Sequence, residues 1–362
     1  MGTLLIRPPG HRRDVALRPA ATAMVWLGEG QPQETIAVPG VALADRDVLV
    51  AVEMSTICDT DVRTVQGLRS APVPLVLGHE SVGRVIATGD DGADAVDGTP
   101  LRIGDRVVWA STVSCGTCDR CGRGLAQTCR ALATYGHDRI GVHGDLTGAF
   151  ASHVQLREGT AIVRVPEALP AAVLAPAACA TASAWAAVAR AARDIDLDGA
   201  AVRILGAGLV GITAAAIAAE HGAVVEVCDP DDDRRAFASR FGATALDREP
   251  DAVIDTSGYS IGEALAGVAV GGTVVLVGRV FPAASVPLEA EDLVRRLVTV
   301  AGVHGYGADD LAAAASFLSG RGRAYPFGDA VGAVRSLADI DAALVEAGAP
   351  GAPLRVALVP GR

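Results

Sequence analysis

An α/β fold in two parts, a partly open barrel-like β domain and a doubly wound parallel sheet, is predicted for this chain of 362 residues. Three observations predict it. From Met24 to about Thr181 short Val-rich strands alternate with turns, residues 48–52 and 81–87 being the clearest. From about Ala182 to His304 strands alternate with helices, and residues 201–205, 224–228, 252–255, 273–277 and 297–303 read as one parallel sheet. Within the first part a loop gathers four cysteines, the mark of a lobe clipped by a metal ion. The last segment, with helices near 309–318 and 340–347, is expected to return to the first domain. The expected division is therefore an N-terminal extension at 1–22, one domain at 23–181 and 305–362, and the parallel-sheet domain at 182–304. No internal repeat is visible.

The four cysteines are Cys115, Cys118, Cys121 and Cys129, a C-x2-C-x2-C-x7-C array. That spacing lets one loop wrap four thiolates tetrahedrally around zinc, leaving no position for substrate, so the site is structural. The alternative is a disulfide-stapled loop. Three cysteines at two-residue gaps are poorly placed to pair with one another, and nothing else in the chain suggests secretion.

Two more cysteines, Cys58 and Cys179, together with His79, read as a second metal site. Cys58 opens Cys58-Asp59-Thr60-Asp61, and His79 sits in Leu77-Gly78-His79-Glu80. Two thiolates and an imidazole leave a fourth position for water or a substrate oxygen, the pattern of catalytic zinc. Taken singly, each has a bland reading: a buried cysteine as a small hydrophobe, or a histidine capping a turn.

Residues 201–205 are followed by Gly206-Ala207-Gly208-Leu209-Val210-Gly211, then an Ala-rich helix to about His221 and a second strand ending at Asp229. This is the strand, glycine turn, helix, strand, acid order of a Rossmann dinucleotide-binding unit. The glycines let the backbone approach the pyrophosphate, which lies on the helix N-terminus.

In content and order these motifs resemble the zinc-dependent medium-chain alcohol dehydrogenase/reductase family, from about Met24 to the C-terminus. The stretches Ala23-Met24-Val25-Trp26, residues 97–106, Tyr135-Gly136-His137 and residues 176–182 look like a branch proposed to act in phosphonate metabolism. The resemblance implies a GroES-like catalytic domain beside the Rossmann domain, two zinc ions per chain and NAD. It also implies a small alcohol or carbonyl substrate and a homodimer or homotetramer paired through the last strand of the dinucleotide sheet. Zinc at Cys58, His79 and Cys179 would polarise the substrate oxygen while the nicotinamide exchanges hydride with carbon. Thr60 matches the family hydroxyl that begins proton release, and Asp61 an acid that orients the ligand histidine. Glu80 would approach the metal from behind, or instead pair with an arginine. Arg355 matches a family arginine that clamps the pyrophosphate, a surface ion pair being the alternative.

Two departures bear on chemistry. Many relatives carry a proton-relay histidine at the position of Arg63, and arginine cannot act as that base. Asp59 stands where relatives put Gly or a cation near the pyrophosphate, and it would repel phosphate unless an arginine neutralises it. Arg63, with Arg69, is therefore a candidate for holding an anionic substrate group; the competing reading is that Arg63 pairs with Asp59 or touches the cofactor. Asp229 can accept from the ribose hydroxyls and Asp231, Asp232 and Asp233 oppose a 2′-phosphate, so NAD is favoured over NADP. Arg234 and Arg235 argue the other way.

A formal net charge of -11 opposes nucleic acid as a partner. The apolar stretches 168–192 and 200–219 are Ala-rich and interrupted, so membrane spans are not expected, nor is a secretory signal in the first 22 residues. A cytoplasmic enzyme fits. No lysine occurs, which excludes Schiff-base catalysis by a side-chain amine. Two rival functions remain: a lyase or isomerase of this fold using tightly bound NAD transiently, and a nucleotide-binding homologue without turnover.

Overall fold

The computed structural model describes residues 12–141, 144–278 and 285–361. They fall into two compact units, one made of residues up to 175 together with those from 333 on, the other of residues 176–332.

The first unit is built on a curled antiparallel sheet in which Arg355–Val359, Val48–Ile57, Glu80–Thr88 and Arg106–Val113 lie side by side in that order. The strand Val48–Ile57 is apolar on both faces because both are covered. Leu49 packs into one core with Leu75, Phe150 and Leu358, while Val48 and Val50 pack into another with Val85, Val107 and Leu156. Register decides what gathers at the sheet's end. Thr56 lies opposite Glu80 and Val356 opposite Ile57, so Cys58, His79 and Arg355 emerge side by side.

A second sheet in this unit starts earlier than expected. Arg13–Trp26 is one long strand, antiparallel to Glu34–Leu43 and paired on its other side with Leu75–Val76. Of the expected N-terminal extension, residues 13–22 thus belong to a sheet, and residues 1–11 lie outside the described residues.

The second unit carries five parallel strands in the order Val224–Cys228, Ala201–Leu205, Ala252–Asp255, Thr273–Leu276, Thr299–Gly302. Helix Leu209–Glu220 is buried nearly all round, and its alanines let helix Ala180–Ala191 approach closely. Helix Ala308–Ser319, with Leu311, Ala314, Ala315 and Leu318 buried, packs against the same Ala180–Ala191 helix. This corrects the expected division: residues 305–332 fold with the parallel sheet, and so do residues 176–181, where the Tyr306 hydroxyl donates to the Ala178 carbonyl. Among the described residues no single helix is long and apolar enough to cross a membrane.

Candidate functional site

The cysteine loop wraps as its spacing predicts. Sγ–Sγ separations are 3.4 Å for Cys129–Cys115, 3.5 Å for Cys118–Cys121 and 3.9 Å for Cys118–Cys129. Sulfurs at the corners of a zinc tetrahedron with ligand bonds near 2.3 Å stand about 3.8 Å apart, whereas a disulfide needs about 2 Å. Backbone N–H groups of Cys115 and Ala131 each donate to Cys129 Sγ at 3.3 Å. The backbone N–H and the hydroxyl of Thr117 pull the Cys115 thiol down to about 6. Burial, reinforced by the neighbouring thiols, pushes Cys121 up to about 11. Four thiols this close ionise together only around a cation, so the donor set fits zinc. Arg130 pairs with Asp119 at 2.5 and 2.9 Å and ties the ends of the loop.

At the end of the first unit's sheet lies the second group. Cys58, His79 and Glu80 each offer a ligand atom within 4.8 Å of the others. Cys58 caps helix Asp59–Val65, and its backbone N–H donates to Asp61 Oδ2 at 3.0 Å. The other oxygen of the wholly buried Asp61 accepts from the Gly78 N–H at 3.4 Å and stands 3.4 Å from His79 Nδ1. Its line to that nitrogen lacks hydrogen-bond geometry, leaving Nδ1 a buried atom without a hydrogen-bond partner. Burial opposes a charge on His79, but Asp61 and Cys58 outweigh it and hold the imidazole well above its ordinary range. A sulfur and an imidazole nitrogen backed by a fixed carboxylate suit zinc. The Thr60 hydroxyl is 3.8 Å from Cys58 Sγ. Cys179 is found in the second unit, as the residue that caps helix Ala180–Ala191.

Glu80 is fully buried and takes three hydrogen bonds: Thr56 Oγ1 donates at 2.6 Å, and Arg355 Nε and Nη2 donate at 2.7 Å each. Burial raises the Glu80 pKa and Arg355 works against it. Arg355 Nη1 donates to the Leu354 carbonyl, and Nη2 also lies 3.8 Å from Cys58 Sγ. The Arg355 fork is thus turned onto a carboxylate beside Cys58. Arg63 likewise pairs with Asp59, at 2.5 Å and one helical turn away, which is the plainer of the two roles weighed for it.

One neighbour escaped sequence reasoning. The His137 ring lies 4.9 Å from that of His79, centroid to centroid, and Arg69 Nη1 donates to His137 Nδ1 at 3.1 Å. Burial, with His79 and Arg69 beside it, holds His137 well below its usual pKa. The contact exists because Gly78 and Gly136, each just before its histidine, meet backbone to backbone. A Cβ on Gly136 would stand 2.5 Å from the Gly78 carbonyl oxygen. The only signal in the sequence is Tyr135-Gly136-His137 itself, which carries no spacing that points to His79.

In the second unit the glycine turn has three distinct duties. Gly206 takes φ +102°, and a Cβ there would press on Thr256 and Ser257; one on Gly211 would lie 1.9 Å from the Gly206 carbonyl. Gly208 caps helix Leu209–Glu220 and has nothing within 4 Å of a built Cβ, the open face a pyrophosphate needs. Leu209 and Val210 form the first turn. Asp229 Oδ2 accepts the Ala207 N–H at 2.7 Å, joining the acid at the second strand's end to the turn. Arg234 lies in the next helix, its Nε 3.9 Å from Asp231 Oδ2.

A glycine-turn parallel sheet and two sulfur-containing donor clusters define a class, the zinc-type, nicotinamide-dependent oxidoreductases. Residues 44–167 match the alcohol dehydrogenase GroES-like domain, and residues 172–287 match the C-terminal domain of alanine dehydrogenase/PNT. The chain is 31% identical to the L-threonine 3-dehydrogenase of Streptomyces coelicolor over 307 residues, 78% of this chain and 81% of that protein. It is 34% identical to the enzyme of the same name from Edwardsiella ictaluri over 212 residues, 57% of each. An alcohol dehydrogenase structure from Thermotoga maritima superposes with a TM-score of 0.85 at 26% identity, covering 94% of this chain and 99% of that one. The chain belongs to the zinc-dependent medium-chain dehydrogenase/reductase family, and it is an enzyme that acts on a small molecule.

Proposed function

We propose that the protein is a zinc- and NAD-dependent alcohol dehydrogenase whose substrate is a small alcohol, or the matching carbonyl compound, bearing an anionic group. The observation that carries the reading is the Cys58–Asp61–His79 arrangement, a buried carboxylate that accepts the Cys58 backbone N–H and stands 3.4 Å from the His79 imidazole. Cys58, His79 and Cys179 would hold the catalytic zinc, and Cys115, Cys118, Cys121 and Cys129 the structural one. When bound, zinc supplies a Lewis acid and the nicotinamide a hydride acceptor or donor. The chain's own part is to orient and to move a proton. Thr60 would accept a hydrogen bond from the substrate hydroxyl and relay its proton, passing its own on to a ribose hydroxyl or a water, Asp61 would stand behind His79, and Glu80, with Arg355, would set the field behind Cys58. Arg63 neutralises Asp59, which removes the repulsion that this carboxylate would exert on phosphate.

Gly206, Gly208 and Gly211 would cradle the pyrophosphate, with the N–H groups of Leu209 and Val210 facing it and Asp229 on the ribose. Asp231, Asp232 and Asp233 support NAD over NADP; Arg234 is already held near Asp231. The chain is proposed to work in the cytoplasm as a homodimer. The last strand, Thr299–Gly302, lies at the sheet edge with Val294, Leu297 and Val300 exposed around it, an edge that pairing with a second copy would cover.

The relatives named L-threonine 3-dehydrogenase make L-threonine the first compound to try. The test is reduction of NAD and NADP by zinc-loaded enzyme over L-threonine, neutral alcohols, polyols and hydroxyalkyl phosphonates. Turnover with net NADH formation is expected. Product formed from such compounds without net NADH would favour the lyase or isomerase reading instead.

A further inference from the structure

We infer that Arg69, braced by His137, is the residue that recognises the anionic group of the substrate, a carboxylate or a phosphonate, through the free side of its guanidinium. The inference rests on the reading of the Cys58–His79 group as the place of reaction, and it moves the anion contact from Arg63 to Arg69.

The chain delivers Arg69 by a tight turn. After helix Asp59–Val65, the N–H groups of Leu68 and Arg69 both donate to the Arg63 carbonyl, at 2.9 and 3.1 Å, folding the backbone back under the helix. One guanidinium nitrogen, Nη1, is then used twice, on Thr64 Oγ1 at 3.4 Å and on His137 Nδ1 at 3.1 Å. An arginine only donates, so His137 Nδ1 accepts. The His137 ring fills the space between this cation and His79, and the Gly78–Gly136 backbone contact fixes its distance. The guanidinium therefore stands one imidazole away from a metal-ligand candidate.

Two contrasts single Arg69 out. Arg63 and Arg355 have carboxylate partners at 2.5 and 2.7 Å, whereas Arg69 has no ion pair among the described residues. Nε and Nη2 of Arg69 likewise have no hydrogen-bond partner among the described residues, and these two atoms form the edge that binds a carboxylate or phosphonate with two parallel bonds. A half-buried cation anchored by one nitrogen, with a donor edge to spare, is suited to hold one end of a small molecule while the reacting carbon stays beside His79.

The experiment compares wild type, Arg69→Met and Arg69→Lys, all zinc-loaded. It measures kcat and KM for β-hydroxybutyrate, β-hydroxypropylphosphonate and sec-butanol, and calorimetric binding of acetate and of methylphosphonate. In Arg69→Met, kcat/KM for the preferred anionic alcohol should fall on the order of 10- to 100-fold, mainly through KM, the size expected for a charged hydrogen-bonded contact. With sec-butanol it should change by less than about twofold, as no charged contact is lost. Arg69→Lys, which keeps the charge but not the fork, should lose less, and it serves should the Met variant fail to fold. Whichever of acetate and methylphosphonate binds wild type, and loses binding in the variants, identifies the anion. Equal losses for anionic and neutral alcohols, or anion binding indifferent to residue 69, would overturn the inference. Absence of any alcohol turnover in wild type would count against the dehydrogenase reading, while the calorimetric arm still decides the anion contact.

Discussion

Gly136 is the residue on which the histidine pair depends, and the structure separates its two constraints. It takes φ +75°, which costs an alanine about 1–2 kcal/mol, and a Cβ there would also press into the Gly78 carbonyl. Gly98 takes φ +76° with nothing near its Cβ position. Denaturant unfolding should therefore show Gly136→Ala to be clearly more destabilising than Gly98→Ala, and similar losses would deny the close contact. Glu80 and Arg355 form the other residue-scale device. Glu80→Gln or Arg355→Met leaves a buried group without its counter-ion and is expected to cost about 3–5 kcal/mol of stability; a loss under about 1 kcal/mol, the worth of an exposed pair, would show that the contact is wet and weak. Cys58, His79 and the glycine turn were legible because their meaning lies within a few neighbouring residues. For Glu80 an arginine partner was among the readings, but not which arginine, since Arg355 is 275 residues away and only the register of the sheet brings the two together.

At the scale of elements, the cysteine loop is short, largely exposed and poor in apolar side chains, so the zinc proposed for it would supply much of its order. Cys121→Ser is expected to lower the unfolding midpoint and to make the segment 115–129 a site of rapid proteolysis, as stripping zinc with a chelator should also do. A lobe equally resistant in both forms would contradict the structural zinc. The aromatic cluster of Phe241, Phe317, Tyr325 and Phe327 gives a pH-dependent signature. Burial, then the hydrogen bond to Glu220, raises the Tyr325 pKa from 10.0 to about 12. The native state then keeps this proton where the unfolded chain has lost it, so the contribution is present below pH 10 and fades as pH rises towards about 12. In unfolding measured across that window, Tyr325→Phe should show a shallower alkaline decline than wild type. Strand and helix order was readable from periodicity in the second unit. The long strand Arg13–Trp26 was not, because its outer half is exposed and rich in arginine and alanine.

The whole molecule follows from two units whose boundary the sequence misplaced. Helix Ala308–Ser319 looked like the start of the return to the first unit, yet its buried face fits the Ala180–Ala191 helix, a tertiary choice that local pattern does not encode. The exposed edge of the parallel sheet predicts a homodimer, so light scattering should give about twice 36.6 kDa at micromolar concentration, and a monomer would contradict that pairing. Two zinc sites of different kind are proposed to serve one NAD-dependent reaction. The most direct test of this is the zinc content per chain of wild type and of Cys179→Ala, each purified folded and assayed with the best alcohol found. Two zinc ions in active wild type, and one in a folded Cys179→Ala protein without turnover, is the result expected. A single zinc in fully active wild type, or undiminished turnover in Cys179→Ala, would contradict it.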